Sequence, residues 1–277
     1  MTSYDFVAIG DITIDAFIRI KDARVTCDIN DENCTICVRF GDKIPFEFDE
    51  VIAGVGNSPN AAAAAAKLGL SSAVSAAVGD DKRGEECIQT MKDAGVSVEF
   101  IEKHKDQGTN YHYVLWYEND RTIFVQHHEY PRTLPAFANP PKWIYLSSLA
   151  KNTESLHHEI ASYVKSHPEV KLAFQPGTFQ MSLGIEMIRD VYEATEIFFC
   201  NKEEARRILN TPGAELPELL KGLHALGPKI VVITEGPKGA TTFDGTNTWF
   251  MPMYPDPKPP YERTGAGDAF ASTVTAA

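Results

Sequence analysis

Near its C-terminal end the chain reads Thr264-Gly265-Ala266-Gly267-Asp268-Ala269-Phe270, and a helical pattern follows to the last residue. Small residues let a backbone approach a ligand closely, and a helix that begins there aims main-chain N–H groups at it, which together make an anion site. A carboxylate in such a first turn is ordinary capping in most proteins, worth about 0.3–1 kcal/mol with the helix dipole. Beside an anion site, however, the carboxylate repels what the N–H groups attract, and a proton-accepting role resolves that conflict. With an acceptor hydroxyl between Asp268 and a phosphoryl group, the carboxylate takes the proton while the amides of Ala266, Gly267 and Asp268 hold charge on the phosphoryl oxygens. Each well-aimed donor lowers such a barrier by on the order of 3 kcal/mol. The chemistry expected of this segment is phosphoryl transfer.

Elsewhere the chain carries Gly10, Asp11 and Asp15 after a strand, then Gly56-Asn57-Ser58-Pro59-Asn60 before an alanine run. Further on come Asn201 and Glu204 at a helix start, and Thr234, Gly236 and Gly239 between two strand patterns. These motifs, in this order and ending in TGAGDAF after a Pro-rich approach, resemble the ribokinase-like (PfkB) carbohydrate kinases. The resemblance implies an α/β fold, a three-layer α/β/α sandwich with a mainly parallel central sheet and a small β-sheet lid. It implies phosphorylation of a hydroxymethyl group of a small sugar by ATP, with Asp268 as base and the backbone of Gly265, Ala266, Gly267 and Asp268 as the anion hole. A nucleoside kinase of the same family, or a catalytically silent binder of sugars or nucleotides, are the alternatives. Asp11, Asp15, Gly56, Asn57 and Asn60 would contact the acceptor, since carboxylates and amides bind hydroxyls in fixed geometry. Asn201, Thr234, Gly236 and Gly239 would meet the nucleotide, with Glu204 holding Mg²⁺ through water.

Each role has a structural rival. Asp11 and Asp15 suit turn chemistry, Asn60 suits a helix N-cap, and Asn201 with Glu204 three residues on suits a capping box. Thr234, Gly236 and Gly239 suit a hairpin turn. Tyr111, Tyr113 and Trp116 would either stack on a sugar or base or pack the lid itself. The His127-His128 and His157-His158 pairs lack spaced partners for a metal and read as solvated positions.

The elements that must position these residues follow an alternation of β-type runs and helical patterns, the mark of βαβ units. Tyr4–Ile9, Ser72–Val78, Trp143–Ser148, Lys171–Phe174, Glu196–Cys200, Lys229–Thr234 and Gly239–Phe243 read as strands, and Asn60–Leu68, Arg83–Ala94, Lys202–Leu209 and Leu216–Leu226 as helices. A further helix falls within Thr153–Ser166. Segments of about 12–52 and 109–128 break the alternation with period-two ribbons and polar turns, as expected of a lid on a single domain over 1–277. The hydrophobic ribbon edges point to a homodimer through the lid. Tyr254–Tyr261 carries four prolines and excludes helix.

At 277 residues the chain is long enough for one large α/β domain, and its net charge of −12 repels nucleic acids and anionic bilayers. No apolar run approaches the roughly 18 residues of a membrane span, so a cytoplasmic protein with no membrane or nucleic-acid partner is expected. Of five cysteines, Cys34 and Cys37 form a lone CxxC, read together with Cys27, Cys87 and Cys200 as reduced thiols rather than a zinc site. Three departures from the resembled family stand out. Val55 replaces the first glycine of its Gly-Gly pair, and Gln175-Pro176-Gly177-Thr178 replaces an Asp-Pro-Asn element. Glu262, Arg263 and Thr264 replace residues that in the family help build a monovalent-cation site, so the resemblance does not extend to potassium activation, and Arg263 is expected to supply positive charge instead. The chain ends at Ala277, nine residues after Asp268, where the family continues, and weak nucleotide affinity and low stability are expected of it.

Overall fold

The computed structural model describes residues 3–27, 34–118, 120–255 and 264–277. The N-terminal part runs β1 (Phe6–Ile9), β2 (Thr13–Ile20), β3 (Arg24–Thr26), β4 (Thr35–Cys37) and β5 (Phe46–Val55). Next come α1 (Asn57–Lys67), β6 (Ser72–Gly79), α2 (Lys82–Asp93), β7 (Ser97–His104), β8 (Tyr111–Tyr117) and β9 (Asp120–Gln126). Alternation then resumes with β10 (Trp143–Leu146), α3 (Glu154–Ser166), β11 (Lys171–Phe174), α4 (Thr178–Leu183), α5 (Arg189–Ala194) and β12 (Ile197–Asn201). The chain closes with α6 (Lys202–Leu209), α7 (Leu216–His224), β13 (Ile230–Thr234), β14 (Ala240–Phe243), β15 (Thr248–Met251) and α8 (Ala266–Ala276).

Strand β1, FVAI, is buried along its whole length because both faces of its sheet are covered. Val7 and Ile9 join Ile144, Leu146, Leu172 and Phe174 beneath α3, α5, α6 and α7. Phe6 and Ala8 point the other way, joining Tyr145, Ala173 and Val232 beneath α1, α2 and α8. The period of two along each strand thus builds two cores, one per face, and the three-layer sandwich follows. Each large apolar side chain buried there contributes about 1.5–3 kcal/mol. In α1 the alanines do the opposite of filling space: Ala61, Ala62 and Ala65 are fully buried, so the helix lies close against the sheet.

The central sheet has nine strands in the order β15-β14-β13-β12-β11-β10-β1-β6-β7. All neighbours are parallel except β13–β14 and β14–β15. The chain starts in the middle at β1, builds β6 and β7 on one side, then crosses to β10 and continues on the other. Such a reversal opens a crevice at the carboxyl ends of the central strands, where α/β sheets bind ligands. Asp11, Gln175, Asn201 and Thr234 all sit at or just beyond those carboxyl ends. Gly10 is required there, since a Cβ would lie 2.2 Å from Ser58 Oγ and 2.9 Å from the Ser148 carbonyl.

The two segments that interrupt the alternation supply a second sheet, in the order β5-β2-β8-β9. Strand β2 runs antiparallel to β5 and parallel to β8, and β8 with β9 forms the expected hairpin. Glu262 and Arg263, together with most of the Pro-rich approach, lie outside the described residues.

The expectation of five reduced thiols is corrected by a Cys27–Cys34 disulfide. In the β3–β4 ribbon Thr26 pairs with Thr35, which sets the next residue on each strand face to face with Cα atoms 4.0 Å apart. Spacing along the chain does not reveal that register. Cys37 is exposed, whereas burial pushes the Cys87 thiol up to about 12 and raises that of Cys200 well above its ordinary value. Alkylation of the denatured chain without reductant should therefore modify three cysteines, Cys37, Cys87 and Cys200, and reduction should expose two more. Full modification before reduction would show that the disulfide does not form.

Candidate active site

Helix α8 starts behind Gly265, whose left-handed backbone (φ 76°) suits glycine, and no side chain caps its first turn. Its inward face is Asp268, Ala271, Ser272 and Thr275, the helical spacing that packs α8 on α1 and the sheet. The Asp268 carboxylate, 9% exposed, is held by side-chain amides on both oxygens. Asn57 Nδ2 donates to Oδ1 at 2.9 Å, Gln175 Nε2 donates to Oδ1 at 3.2 Å, and Asn60 Nδ2 donates to Oδ2 at 2.9 Å. Burial pushes this carboxyl above its ordinary range, and the donors from Asn60, Gln175 and Asn57 pull against that rise.

Asn57 and Asn60 reach the same carboxylate because residues three apart share a helix face. Helix α1 begins three residues earlier than the alanine run suggested, with Gly56 as N-cap, so Asn60 lies inside the helix and is not its cap. Gly56 turns the chain at φ 123°, and a Cβ there would meet the Asp11 carbonyl at 2.9 Å.

A cleft of about 660 Å³ opens around Asp268, between the second sheet and the carboxyl edge of the central one. Of the residues singled out from the sequence, Asp15, Gly56, Asn57, Asn60, Asn201, Glu204, Thr234, Gly265, Gly267 and Asp268 line it. Asp11, Ala266, Gly236 and Gly239 do not line it. Gly236 and Gly239 shape the short turn between β13 and β14, where a Cβ on Gly239 would strike the Met251 carbonyl at 2.2 Å.

Asp11 is turned instead toward His127, whose Nδ1 lies 3.1 Å from Oδ2, and toward Arg132 Nη1 at 3.9 Å. His127 stacks on His112 with ring centroids 4.9 Å apart, and His112 Nδ1 is 3.1 Å from Asp15 Oδ1. The expectation of solvated histidines therefore fails at His127, which is packed between an acid and a ring. It fails also at His157, which is fully buried. His157 donates from Nδ1 to the Thr153 carbonyl at 2.7 Å and accepts at Nε2 from Gln180 at 2.8 Å, and burial lowers its basicity. Gln180 in turn accepts from the Gly177 N–H at 2.7 Å, which braces the loop that carries Gln175.

The aromatic residues of the second sheet make contacts of their own. Trp116 lies under the Arg19 guanidinium at 4.5 Å and against the edge of Phe48, Tyr111 lies under Arg83 at 4.1 Å, and Tyr113 is half exposed. Arg19 and Lys21 both pair with Glu47. Within the cleft, Asp15 Oδ1 and His112 Nε2 are buried without a hydrogen-bond partner, unspent capacity that a polar ligand would satisfy.

At the other end of the cleft the capping box is real: Glu204 N–H donates to Asn201 Oδ1 at 2.8 Å, and Asn201 N–H donates to Glu204 Oε2 at 2.9 Å. Burial raises the Glu204 carboxyl, opposed by the Asn201 N–H and by Arg207 and aided by the charge of Asp268. Among the described residues no group of three or more His, Cys, Asp or Glu could hold a metal ion. A magnesium ion needs less than that, since it is commonly held by one or two carboxylates together with substrate phosphates and its own waters. Glu204, a hard oxygen donor on the cleft wall, fits that demand.

The sequence reading gave no role to Gln175, His112 or Arg121, which also line the cleft. Only Gln175 left a usable signal, its place directly after the strand KLAF. Among the described residues no helix is long and apolar enough to cross a membrane.

Comparison with known proteins fits this geometry. A stretch of 86 residues is 36% identical to the cytidine kinase of Thermococcus kodakarensis, covering 31% of this chain and 30% of that protein. The ribokinase of Bacillus subtilis is 28% identical over 80% of this chain and 73% of its own length. The structure of Arabidopsis thaliana ribokinase complexed with ribose and ATP superposes with a TM-score of 0.78 at 18% identity, covering 99% of this chain and 86% of that one. The nucleoside kinase of Methanocaldococcus jannaschii, a member of the ribokinase family, superposes at 0.75 with 18% identity, covering 99% and 86%. These superpositions establish the ribokinase fold. The family pattern of the pfkB carbohydrate kinases matches residues 37–277, and the chain belongs to that family.

Proposed function

We propose that the chain transfers the γ-phosphoryl group of ATP to a hydroxymethyl oxygen of a small sugar. The observation that carries this reading is the buried Asp268 carboxylate, set in the first turn of an uncapped helix and facing a cleft. The acceptor O–H bond breaks toward Asp268, its oxygen bonds to the γ-phosphorus, and the bridging oxygen leaves with its electron pair on ADP. The main-chain amides of the 265–268 turn, of which Gly265, Gly267 and Asp268 line the cleft, would meet the phosphoryl oxygens, where each well-aimed donor is worth on the order of 3 kcal/mol of barrier. Glu204 would hold Mg²⁺ through water, and Asn201 and Thr234, register partners at the ends of β12 and β13, would flank the nucleotide. When bound, that ion neutralises charge on the phosphates. Asp15, Asn57 and Asn60 would orient the acceptor, while Asp11 acts at one remove by fixing His127. The second sheet would close as a lid, excluding water that otherwise competes as acceptor.

The cytidine kinase match favours a second reading, a nucleoside acceptor in the same cleft. ATP consumption measured with ribose, fructose 6-phosphate and cytidine separates the two, and activity with none of them would leave only binding. With the active acceptor, Asp268→Asn should lower kcat by roughly 10²–10⁴ while circular dichroism stays unchanged. Undiminished turnover would remove Asp268 from its role. Because burial raises the Asp268 carboxyl, and only the ionised form accepts a proton, kcat should fall on acidification at a pH above the ordinary carboxylate range. A profile flat down to that range would contradict the assignment.

Glu204→Gln separates metal binding from capping, because the amide oxygen still accepts the Asn201 N–H. Stability should change by less than about 0.5 kcal/mol, while calorimetry should show weaker ATP binding with Mg²⁺ and unaltered binding in EDTA. Equal losses under both conditions would count against a metal role. Val51, Tyr113 and Phe124 form an exposed apolar row across one face of the second sheet, the surface a second copy would cover. Sedimentation as a monomer at micromolar concentration would exclude that pairing.

A further inference from the structure

The oxygens of Asp268 are not equivalent. Oδ1 accepts two N–H groups, from Asn57 at 2.9 Å and Gln175 at 3.2 Å, whereas Oδ2 accepts one, from Asn60 at 2.9 Å. A carboxylate oxygen offers two lone-pair sites. Oδ1 is therefore saturated by side chains and Oδ2 keeps one site open. The donor that completes the saturation is itself oriented: the hydroxyl of Tyr145 donates to Gln175 Oε1. Tyr145 projects from β10 into the fully buried core and is 0% exposed. Burial, with the charge of Asp268 adding to it, raises the Tyr145 phenol well above its ordinary value, so it remains a donor. Turning the amide over would set Oε1 against Asp268 Oδ1, a contact between two acceptors.

We infer that Gln175, clamped by Tyr145, is a positioning residue that occupies Asp268 Oδ1 and so leaves Oδ2 as the oxygen that receives the acceptor's proton. Its one mark in the sequence is its place directly after the strand KLAF. The inference rests on the reading of Asp268 as base. The charged and titratable groups around Asp268 are Tyr145 from β10, Glu204 and Cys200 from the β12–α6 junction, and Asp15, His112 and Arg121 from the second sheet. Only Tyr145 acts through Gln175.

Proton binding in the free protein tests the relay without acceptor or nucleotide. The carboxyl carbon of Asp268, followed by NMR in the full chain labelled with ¹³C-aspartate and assigned by its loss in Asp268→Asn, reports the midpoint directly. Gln175→Met fills the same space without a donor, and its midpoint is expected at higher pH than in the unaltered protein, because the ionised form loses a hydrogen bond. Gln175→Glu keeps the bond from Tyr145 and sets a second carboxylate against Oδ1, so the largest upward shift is expected there. Tyr145→Phe frees the amide to turn and is expected to shift the midpoint upward by less. Midpoints unmoved in the two Gln175 variants overturn the inference, and an unmoved midpoint in Tyr145→Phe alone overturns the clamp. If Gln175→Met fails to fold, the near-isosteric Glu and Phe variants carry the test, and no movement in either refutes it. A merely structural role lowers the melting temperature without moving the midpoint. Undiminished turnover in Asp268→Asn, by contrast, refutes the base assignment whatever the midpoints do.

Discussion

One buried carboxylate organises this cleft. Removing a carboxylate from water without partners is prohibitive, and the usual escape is protonation. Asp268 is kept available as a charge by amides drawn from two separate elements, the start of α1 and the end of β11. Neutral donors hydrogen-bond the anion without adding a cation, and among the described residues no salt bridge reaches Asp268. Burial raises the carboxyl and the amides lower it, and the net effect is a rise above the range of an exposed aspartate.

That arrangement constrains the rest of the fold. The amides converge only if α1, α8 and the carboxyl ends of β10 and β11 are held together, and small residues make this possible. Ala61, Ala62 and Ala65 bring α1 down onto the sheet, Ser58 and Ser147 share a hydrogen bond of 2.6 Å at its start, and Gly10 leaves room for that serine. On α8, Ser272 donates to the Asp268 carbonyl at 2.6 Å, which ties the helix's inner face to the residue whose carboxylate faces the cleft. Behind the visible cleft, His157, Gln180 and Gly177 form a buried chain that fixes the loop following β11, and with it Gln175.

Local patterns made much of this legible. Continuous apolar runs in β1 and β10 and the alternation of strands with helices point to a covered parallel sheet, and glycines beside Asp268 point to an uncapped helix start. What stayed hidden depends on contacts between distant residues. Gln175 and Asp268 are 93 positions apart, and no spacing rule links them. Histidines in tandem look solvated until a strand register sets Asp15 beside His112 and a stack adds His127. The Cys27–Cys34 bond is likewise a consequence of ribbon register, and Asn60 was misplaced as a cap because helix α1 tolerates asparagine, serine and proline in its first turn. Asp11 adds another such contact, its carboxylate lying beside the ring of His127, 116 positions away.

The distribution of charge then explains how an acidic chain can handle a polyanion. With a net charge of −12, and with Asp15, Glu204 and Asp268 on the cleft wall beside Arg121, the field of the chain as a whole repels phosphates. Affinity for an anion must come from contacts that act at short range, and a helix start without a side-chain cap is one of the few devices that supplies partial positive charge without a basic residue. The same acidity is useful on the acceptor side, where carboxylates and amides bind hydroxyl donors. Asp268 stands where those two requirements meet, and a single carboxylate can serve there because its charge is spread over neutral amides instead of being cancelled by a cation.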